Sequence, residues 1–447
     1  MSSNINQKLA ETAKGPEDGA RRPPPPSFGT AARFWIKLGF ISFGGPTGQI
    51  AIMQTELVDR RGWISSSHFL QILNYCMLLP GPEAMQLATY VGWLLHRIPG
   101  GLMAGAFFVI PSIFIMLVIS YIYAAYGAVP WIAALFYGLK PAVLAIVASA
   151  TISIGRRALG HPLKYAMAAA SFAALFFFQV PFPLVILTAA AAGFIGVRAF
   201  PEFGVAGAQP GGAAPDALPL PRQIQPSLGH ALRVTAVCLA CWLIPLAALG
   251  LWRGPGDVLF QEGVFFSKAA VVTLGGAYSV LPYVAQQAVE YFHWLTPEQM
   301  IDGLGLAETL PGPLIKVLQF VGFMAGWRQA ADLGLWGAIL GALTATYFTF
   351  MPCFLWIFLG APYIEKIRAN RTLNGAMGAI TAAVVGVVLN LAGWFGLHVL
   401  FPAGRGVDWF ALGVTAFSFI ALQKFKLDLI PVVIAAAGLG LIYRQLF

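Results

Sequence analysis

Apolar residues in this chain run in unbroken blocks rather than in alternation. Residues 101 to 123 (GLMAGAFFVIPSIFIMLVISYIY) and 378 to 397 (GAITAAVVGVVLNLAGWFGL) contain no charged side chain. Such blocks reach or exceed the roughly 20 residues that carry a helix across about 30 Å of hydrocarbon. Ten-residue alternating strands are absent, so helices rather than a barrel must satisfy the backbone in lipid. About six hydrophobic segments lie in each half, and one more, residues 230–252, stands between the halves without a partner. The predicted organisation is a polar, Pro-rich tail over 1–33, read as disordered and cytoplasmic rather than as a signal peptide; a first repeat over 34–200; a flexible Gly/Pro/Ala-rich linker over 201–229; a linking transmembrane helix over 230–252; and a second repeat over 259–447.

Composition narrows the class. Of 447 residues, 58% are hydrophobic and 10% charged, against about 25% charged in soluble domains, and the mean hydropathy is +0.75. The net charge of +9 sits mostly in loops, where it reads as a topology signal and not as a nucleic-acid footprint. Cys76, Cys238, Cys241 and Cys353 fall in or beside apolar segments, and no second Cys or His pair accompanies Cys238-x-x-Cys241. Neither a disulfide framework nor a metal site is expected. GxSxG and HExxH are missing and the six histidines are scattered. No catalytic constellation and no cofactor is predicted.

The chain matches itself at a constant offset of 231. Phe34 meets Phe265, Lys37 meets Lys268, Gly44-Gly45 meets Gly275-Gly276, Trp63 meets Trp294, and Pro80-Gly81-Pro82 meets Pro311-Gly312-Pro313. After one skipped residue, Tyr90-Val91-Gly92 meets Phe320-Val321-Gly322. An odd helix between two copies inverts the second. Loop charges agree: Arg156, Arg157 and Lys164 follow the fourth segment of the first half, whereas Lys366, Arg368 and Arg371 follow the third of the second. With the N-terminus cytoplasmic these loops fall inside, and Arg60-Arg61 is the exception. The predicted fold is therefore an all-α membrane protein of two inverted-topology repeats with broken or re-entrant helices plus one linking helix.

The breaks are the chemical clue. Proline removes an amide donor and pushes its predecessor out of the α region, so FGGP and PGP split their segments into half-helices. Irregular backbone survives at membrane depth only inside protein or beside a water-filled cavity, and the start of a half-helix attracts an anion. Gly44, Gly45, Pro80, Gly81, Pro82, Gly275, Gly276, Pro311, Gly312 and Pro313 are thus candidate substrate-binding positions. Lys37 and Lys268 stand seven residues before each Gly-Gly; each either faces the anion or snorkels to the headgroups. Lys140 is a third intramembrane lysine. Lys316 lies in the first turn after Pro313, where a cation opposes the helix dipole unless an anion is near. Three acids are candidates for proton or ion coupling. Glu83 opens a half-helix and has a purely structural alternative there. Glu308 either carries a proton or pairs with Lys316. Asp302 follows Thr296-Pro297-Glu298, a predicted helix cap. Gln54, Gln86, Gln319, Asn74 and Asn390 either line a pathway or hold helices together.

FGGP, RRGW and LLPGP in one half, with LGGAY, LPGPLIKVLQFVGF, GAPYIEKIRAN and ITAAVVGVVLNL in the other, resemble the long-chain, two-domain chromate ion transporter family. The resemblance spans residues 33 to 447. It implies a multi-pass bacterial inner-membrane protein that exports chromate and confers resistance to it. Its signature positions here are Phe43 to Pro46, Arg60, Arg61, Trp63 and Pro80 to Pro82, with Gly275, Gly276, Trp294, Pro311 to Pro313, Lys316 and Gly322 as counterparts or neighbours. Two departures stand out. Ser65-Ser66-Ser67-His68 replaces the usual acids after RRGW, and Gln71-Ile72 stands opposite Asp302-Gly303, so any ion chemistry is expected in the second half. Transport of another oxyanion such as sulfate, or a scaffold or sensor without flux, are the alternatives. The small residues of AAAAGFIG (189 to 196) would permit a homodimer.

Overall fold

A computed structural model describes residues 26–43, 45–199, 228–363, 371–402 and 406–446. Among these the protein is helical throughout, with no strand. Most of the tail and linker, with Gly44, Lys366 and Arg368, lie outside the described residues.

The first half opens with α1 (Phe28–Ile41), capped by the Ser27 hydroxyl, which accepts from the Thr30 amide at 3.3 Å. The helix thus begins inside the stretch read as tail. It stops at Ser42, and α2 (Gly45–Gln54) resumes after Gly45 takes φ +65°. α2 widens into a π turn over Thr55–Arg60, and Ser65 caps α3 (Ser66–Cys76). The Pro-Gly-Pro break follows, with Gly81 at φ +119°, before α4 (Glu83–Tyr126). α4 is two arms: His96 (φ −139°, ψ 27°) and Arg97 (φ 60°, ψ −152°) fold it back on itself. Gly92 leaves no room for a Cβ against Gly100 and Ala104, which is what lets the arms touch.

The second half repeats these irregularities. After the linking helix α8 (Leu228–Arg253), Asp257 caps α9 (Val258–Val272). Gly275 and Gly276, at φ +84° and +100°, separate it from α10 (Ala277–Gln286), which also widens into a π turn, Gln287–Tyr291. Thr296 caps α11 (Pro297–Thr309) with Pro297 in its first turn and Gln299 completing a reciprocal capping box, as the cap signal predicts. Gly312 takes φ +102° at the second Pro-Gly-Pro. A 3₁₀ turn, Leu314–Lys316, then leads into α12 (Val317–Gln329), which packs along α13 (Leu335–Gly360) through Gly322 on Gly341 and Gly326 on Gly337.

The remaining helices bind the halves together. α5 (Pro130–Ala158), α6 (Pro162–Phe176) and α7 (Phe182–Ala199) from the first half pack against α14 (Arg371–Leu400), and α15 (Trp409–Gln423) and α16 (Leu429–Leu446) pack on α5. Small residues make the crossings: Gly138 meets Ala436 and Gly440, Gly386 meets Ala168, and Gly193 meets Gly375 and Ala379. Within the AAAAGFIG stretch Gly193 and Ala189 are buried in the chain, while Ala191, Ala192, Phe194 and Ile195 are exposed. Six helices, α4, α5, α8, α13, α14 and α16, are long and apolar enough to cross a membrane, and α6, α7 and α15 are shorter apolar helices. α8 turns most of its apolar surface outward, with Leu251 90% exposed. An outer surface of that kind suits lipid.

Candidate functional site

The breaks of the two halves hold each other. The Gly81 amide donates to the Thr273 carbonyl at 2.7 Å, and the Gly312 amide donates to the Ser42 carbonyl at 2.8 Å. These four residues are two pairs at the offset of 231. The acceptors match in detail, since Ser42 Oγ donates to Leu38 O and Thr273 Oγ1 to Ala269 O, both at 2.6 Å. Each loop glycine also rests on a long helix of the other half. A Cβ on Gly81 would come 2.8 Å from Cys353 Sγ, and one on Gly312 would come 2.6 Å from Ser112 Oγ. Each Pro-Gly-Pro therefore closes over the point where the opposite half's first helix stops.

The freed carbonyls have side-chain donors. Gln86 Nε2 donates to Pro80 O at 2.6 Å. At the second break Lys316 Nζ donates to Leu310 O at 2.5 Å, Pro311 O at 2.8 Å and Gly312 O at 3.4 Å, and Gln49 Nε2 donates to Gly312 O at 2.7 Å. Gln86 and Lys316 correspond across the repeat once the skipped residue is counted, so one task is performed by a neutral group in the first half and by a cation in the second. Lys316 is 2% exposed. Its hydrogen bonds go to these carbonyls and not to Glu308, whose Oε1 accepts from Tyr278 Oη at 2.5 Å. Lys316 and Glu308 stay close enough for their charges to interact.

Glu83 stands at the junction of the two breaks. Its carboxylate lies over Gly276, 3.0 Å from where a Cβ would sit, and beside the Ala277 amide at the start of α10. Asp302 lies further along the inter-half boundary, where Oδ2 accepts from Tyr123 Oη at 2.8 Å and faces Lys140 Nζ at 3.7 Å. One oxygen on each of these acids, Glu83 Oε2, Asp302 Oδ1 and Glu308 Oε2, is buried without a hydrogen-bond partner among the described residues.

The structure brings together Pro80, Gly81, Pro82, Gly275, Gly276, Pro311, Gly312, Pro313, Lys316, Glu83 and Glu308, whereas a Cβ on Gly45 would meet nothing within 4 Å. Lys37 and Lys268 stay out of the crossing. Phe34, Trp35 and Leu38 turn one face of α1 inward, as Phe265, Phe266 and Ala269 do for α9, and this leaves both lysines on exposed faces. Such exposure fits the headgroup-reaching alternative. Arg60 and Arg61, the topological exception, close on buried Glu56 at 2.6 and 3.4 Å. Sequence reasoning missed Tyr278, whose only signal was its place after Gly-Gly, and Gln49, and it left the carbonyl-holding role of Gln86 undistinguished from ordinary helix contacts. A cleft of about 730 Å³ between α8 and α13 lies outside this seam and is lined mainly by apolar residues such as Pro245, Leu249, Trp252 and Leu340.

A family model described as chromate transporter matches residues 30–194 and 260–441. The chain belongs to the chromate transporter family. The two matched regions contain one Pro-Gly-Pro break each, and the linker and α8 lie between them. The chain is 29% identical over 429 residues to the chromate transport protein of Pseudomonas aeruginosa, covering 94% of this chain and 92% of that one. It is 27% identical over 409 residues to the chromate transport protein of Cupriavidus metallidurans, covering 91% and 90%. The uncharacterized transporter YwrA of Bacillus subtilis is 28% identical over 173 residues, which is 38% of this chain but 89% of its own length. No solved structure matches. Family membership and the apolar helices make this a multi-pass membrane protein and point to a transporter rather than an enzyme.

Proposed function

We propose that the protein is a chromate efflux transporter of the bacterial inner membrane, with its N-terminus cytoplasmic and its halves in inverted orientation. The dianion is held near the midplane where the two sets of broken helices cross, and access alternates between the two sides. The observation that carries this reading is the reciprocal pair of bonds, Gly81 to Thr273 and Gly312 to Ser42. A bond and its image between equivalent residues is what a two-fold relation produces. An odd helix between copies sets that axis in the membrane plane, and substrate sites of such transporters lie at the repeat interface.

The physics of the site agrees with an anion, though not in the form the sequence suggests. The loop prolines lack N–H groups and the loop glycine amides are engaged, which leaves the buried Lys316 charge and the first-turn amides of Ala84 and Met85, ahead of the first helical bond from Gln86 to Pro82. Glu83, Glu308 and Asp302 are the groups through which proton or ion coupling would act. An inside-negative potential drives a dianion outward by about 4.6 kcal/mol per 100 mV, twice the single-charge value, so export needs no other energy source.

The test is chromate uptake by inverted vesicles containing the protein. Saturable uptake, accelerated by an interior-positive potential and absent from vesicles without the protein, is expected. No protein-dependent uptake would remove the proposal. Sulfate shares the shape and charge of chromate, and loss of about half the uptake at equal saturating concentrations, as two equally bound competitors must give, would broaden the substrate to tetrahedral dianions in general.

A further inference from the structure

Glu262 is a buried acid that the anion site does not use. It lies in the second turn of α9, is 0% exposed, and neither carboxyl oxygen has a hydrogen-bond partner among the described residues. Its Oε1 lies 3.1 Å from where a Cβ on Gly341 would sit, beside the close contact of Gly341 with Gly322, so it fills the junction of α9, α12 and α13. Among the described residues no cation compensates it. α13 and α10 bring no charged residue, and α12 brings only Arg328 near its end. On α8, Arg253 is committed to Asp257 and Asp332 at 2.9 and 2.7 Å, while His230 and Arg233 stand at the opposite end, roughly 30 Å away by helical rise. Lys268 of α9 itself is exposed on another face. The remaining charge that acts on Glu262 is Asp257, of the same sign. Cys238 and Cys241 of α8, Tyr347 and Cys353 of α13, and Tyr278 and Tyr283 of α10 are the other titratable groups on the packed elements, and none donates to Glu262.

An ionised carboxylate with no cation and no donor, in a junction shut off from water, costs several kcal/mol. Binding a proton removes that cost. A metal cation would require several oxygen ligands, and one carboxyl beside a glycine crossing does not provide them. Glu262 is only five residues, about 7.5 Å along the helix, from the cap Asp257 at the polar end of α9. The equivalent residue of the first half is Ala31, so the feature belongs to the second half alone.

We propose that Glu262 is a proton-binding site, loaded in this conformation, which exchanges its proton with the membrane face carrying Arg253, Asp257 and Asp332 when the junction of α9 with α13 opens. On the orientation proposed above that face is periplasmic. The assignment of this proton to export rests on the proposed function; the site itself does not.

The test is reaction of the full chain, in membranes, with a hydrophobic carbodiimide. Only the protonated acid reacts: its O–H proton passes to a carbodiimide nitrogen, its oxygen bonds the central carbon, and acyl migration to nitrogen leaves a stable N-acylurea with nothing expelled. The peptide containing Glu262 should gain one carbodiimide mass, at a rate that falls as the medium is made alkaline and is unaffected by excess sodium. Absence of the adduct, a rate independent of pH, or protection by sodium would each overturn the proposal, and none of these needs a variant that must fold. In vesicles, Glu262→Gln should retain chromate uptake but respond less to an imposed proton gradient, the ratio of rates with and without the gradient falling below that of wild type. A ratio equal to wild type overturns the coupling role. Vesicles in which neither form transports chromate count against the proposed function, while the adduct still decides the site.

Discussion

Replacing Lys316 with glutamine separates the charge of that side chain from its hydrogen bonds. Glutamine is what the first half uses at the corresponding place, where Gln86 Nε2 reaches Pro80 O at 2.6 Å. A glutamine at 316 can hold the Pro311 carbonyl in the same way, so the loop survives and only the positive charge is lost. A hydrogen bond or contact to a charged group contributes about 1.5–3 kcal/mol, and each 1.4 kcal/mol is tenfold. Lys316→Gln is therefore expected to raise the KM for chromate about tenfold to a hundredfold, with protein level and detergent melting temperature close to wild type. Lys316→Ala should behave differently. It strips the side-chain donor from the Leu310 and Pro311 carbonyls, while Gly312 keeps Gln49; each orphaned carbonyl costs about 1–3 kcal/mol, and folded protein should fall. The assay is initial uptake rate against chromate concentration in inverted vesicles, normalised to folded protein. If Lys316→Gln transports with an unchanged KM, the lysine is a clasp for the loop and its charge has no part in recognition.

Three further outcomes follow from the same geometry. Gly312→Ala places a Cβ against Ser112 at φ +102°, and this strain, of order 1–3 kcal/mol or more, should lower the melting temperature; Gly81→Ala, at φ +119° against Cys353, should do the same. Tyr278→Phe removes the donor from Glu308 and leaves a second buried oxygen unpaired, a loss of about 1–3 kcal/mol measurable by the same melt. Arg253 holds the Asp332 carboxyl below its ordinary range, so the bond stabilises the fold above the unfolded carboxyl value near 3.9 and is lost as pH falls through the lower folded value. The stability gap between wild type and Asp332→Asn should accordingly close on acidification through that window.

Local chemistry made much of this fold legible. Proline and glycine announce each break wherever they stand, the Thr296-Pro297 cap is a short-range pattern, and the unpaired block at 230–252 becomes α8. Partnerships across the halves were not legible. Nothing near Gly81 indicates that its amide ends on Thr273, because that pairing exists only once two distant segments cross. Lysine positions show the same limit: Lys37 and Lys316 both interrupt apolar sequence, yet only the turn of the helix decides that Phe34, Trp35 and Leu38 face inward while Lys37 does not. With apolar Ile36 and Phe40 on the outward side as well, hydrophobic periodicity in lipid carries no such information. Glu262 escaped notice for a related reason, since an acid near a helix start suits the dipole and attracts no question until its burial is seen.

The mutual grip of the two loops has a consequence for how the molecule comes into being. Neither half can finish its own main chain: severed from its sibling, a nascent first half would bury an amide at Gly81 with nothing to receive it and a carbonyl at Ser42 with nothing to give. The earliest-synthesised portion must therefore wait, unsealed, until the second half of translation delivers its complement. Tethering both in one polypeptide fixes their ratio at one to one and spares each from searching the membrane for the other.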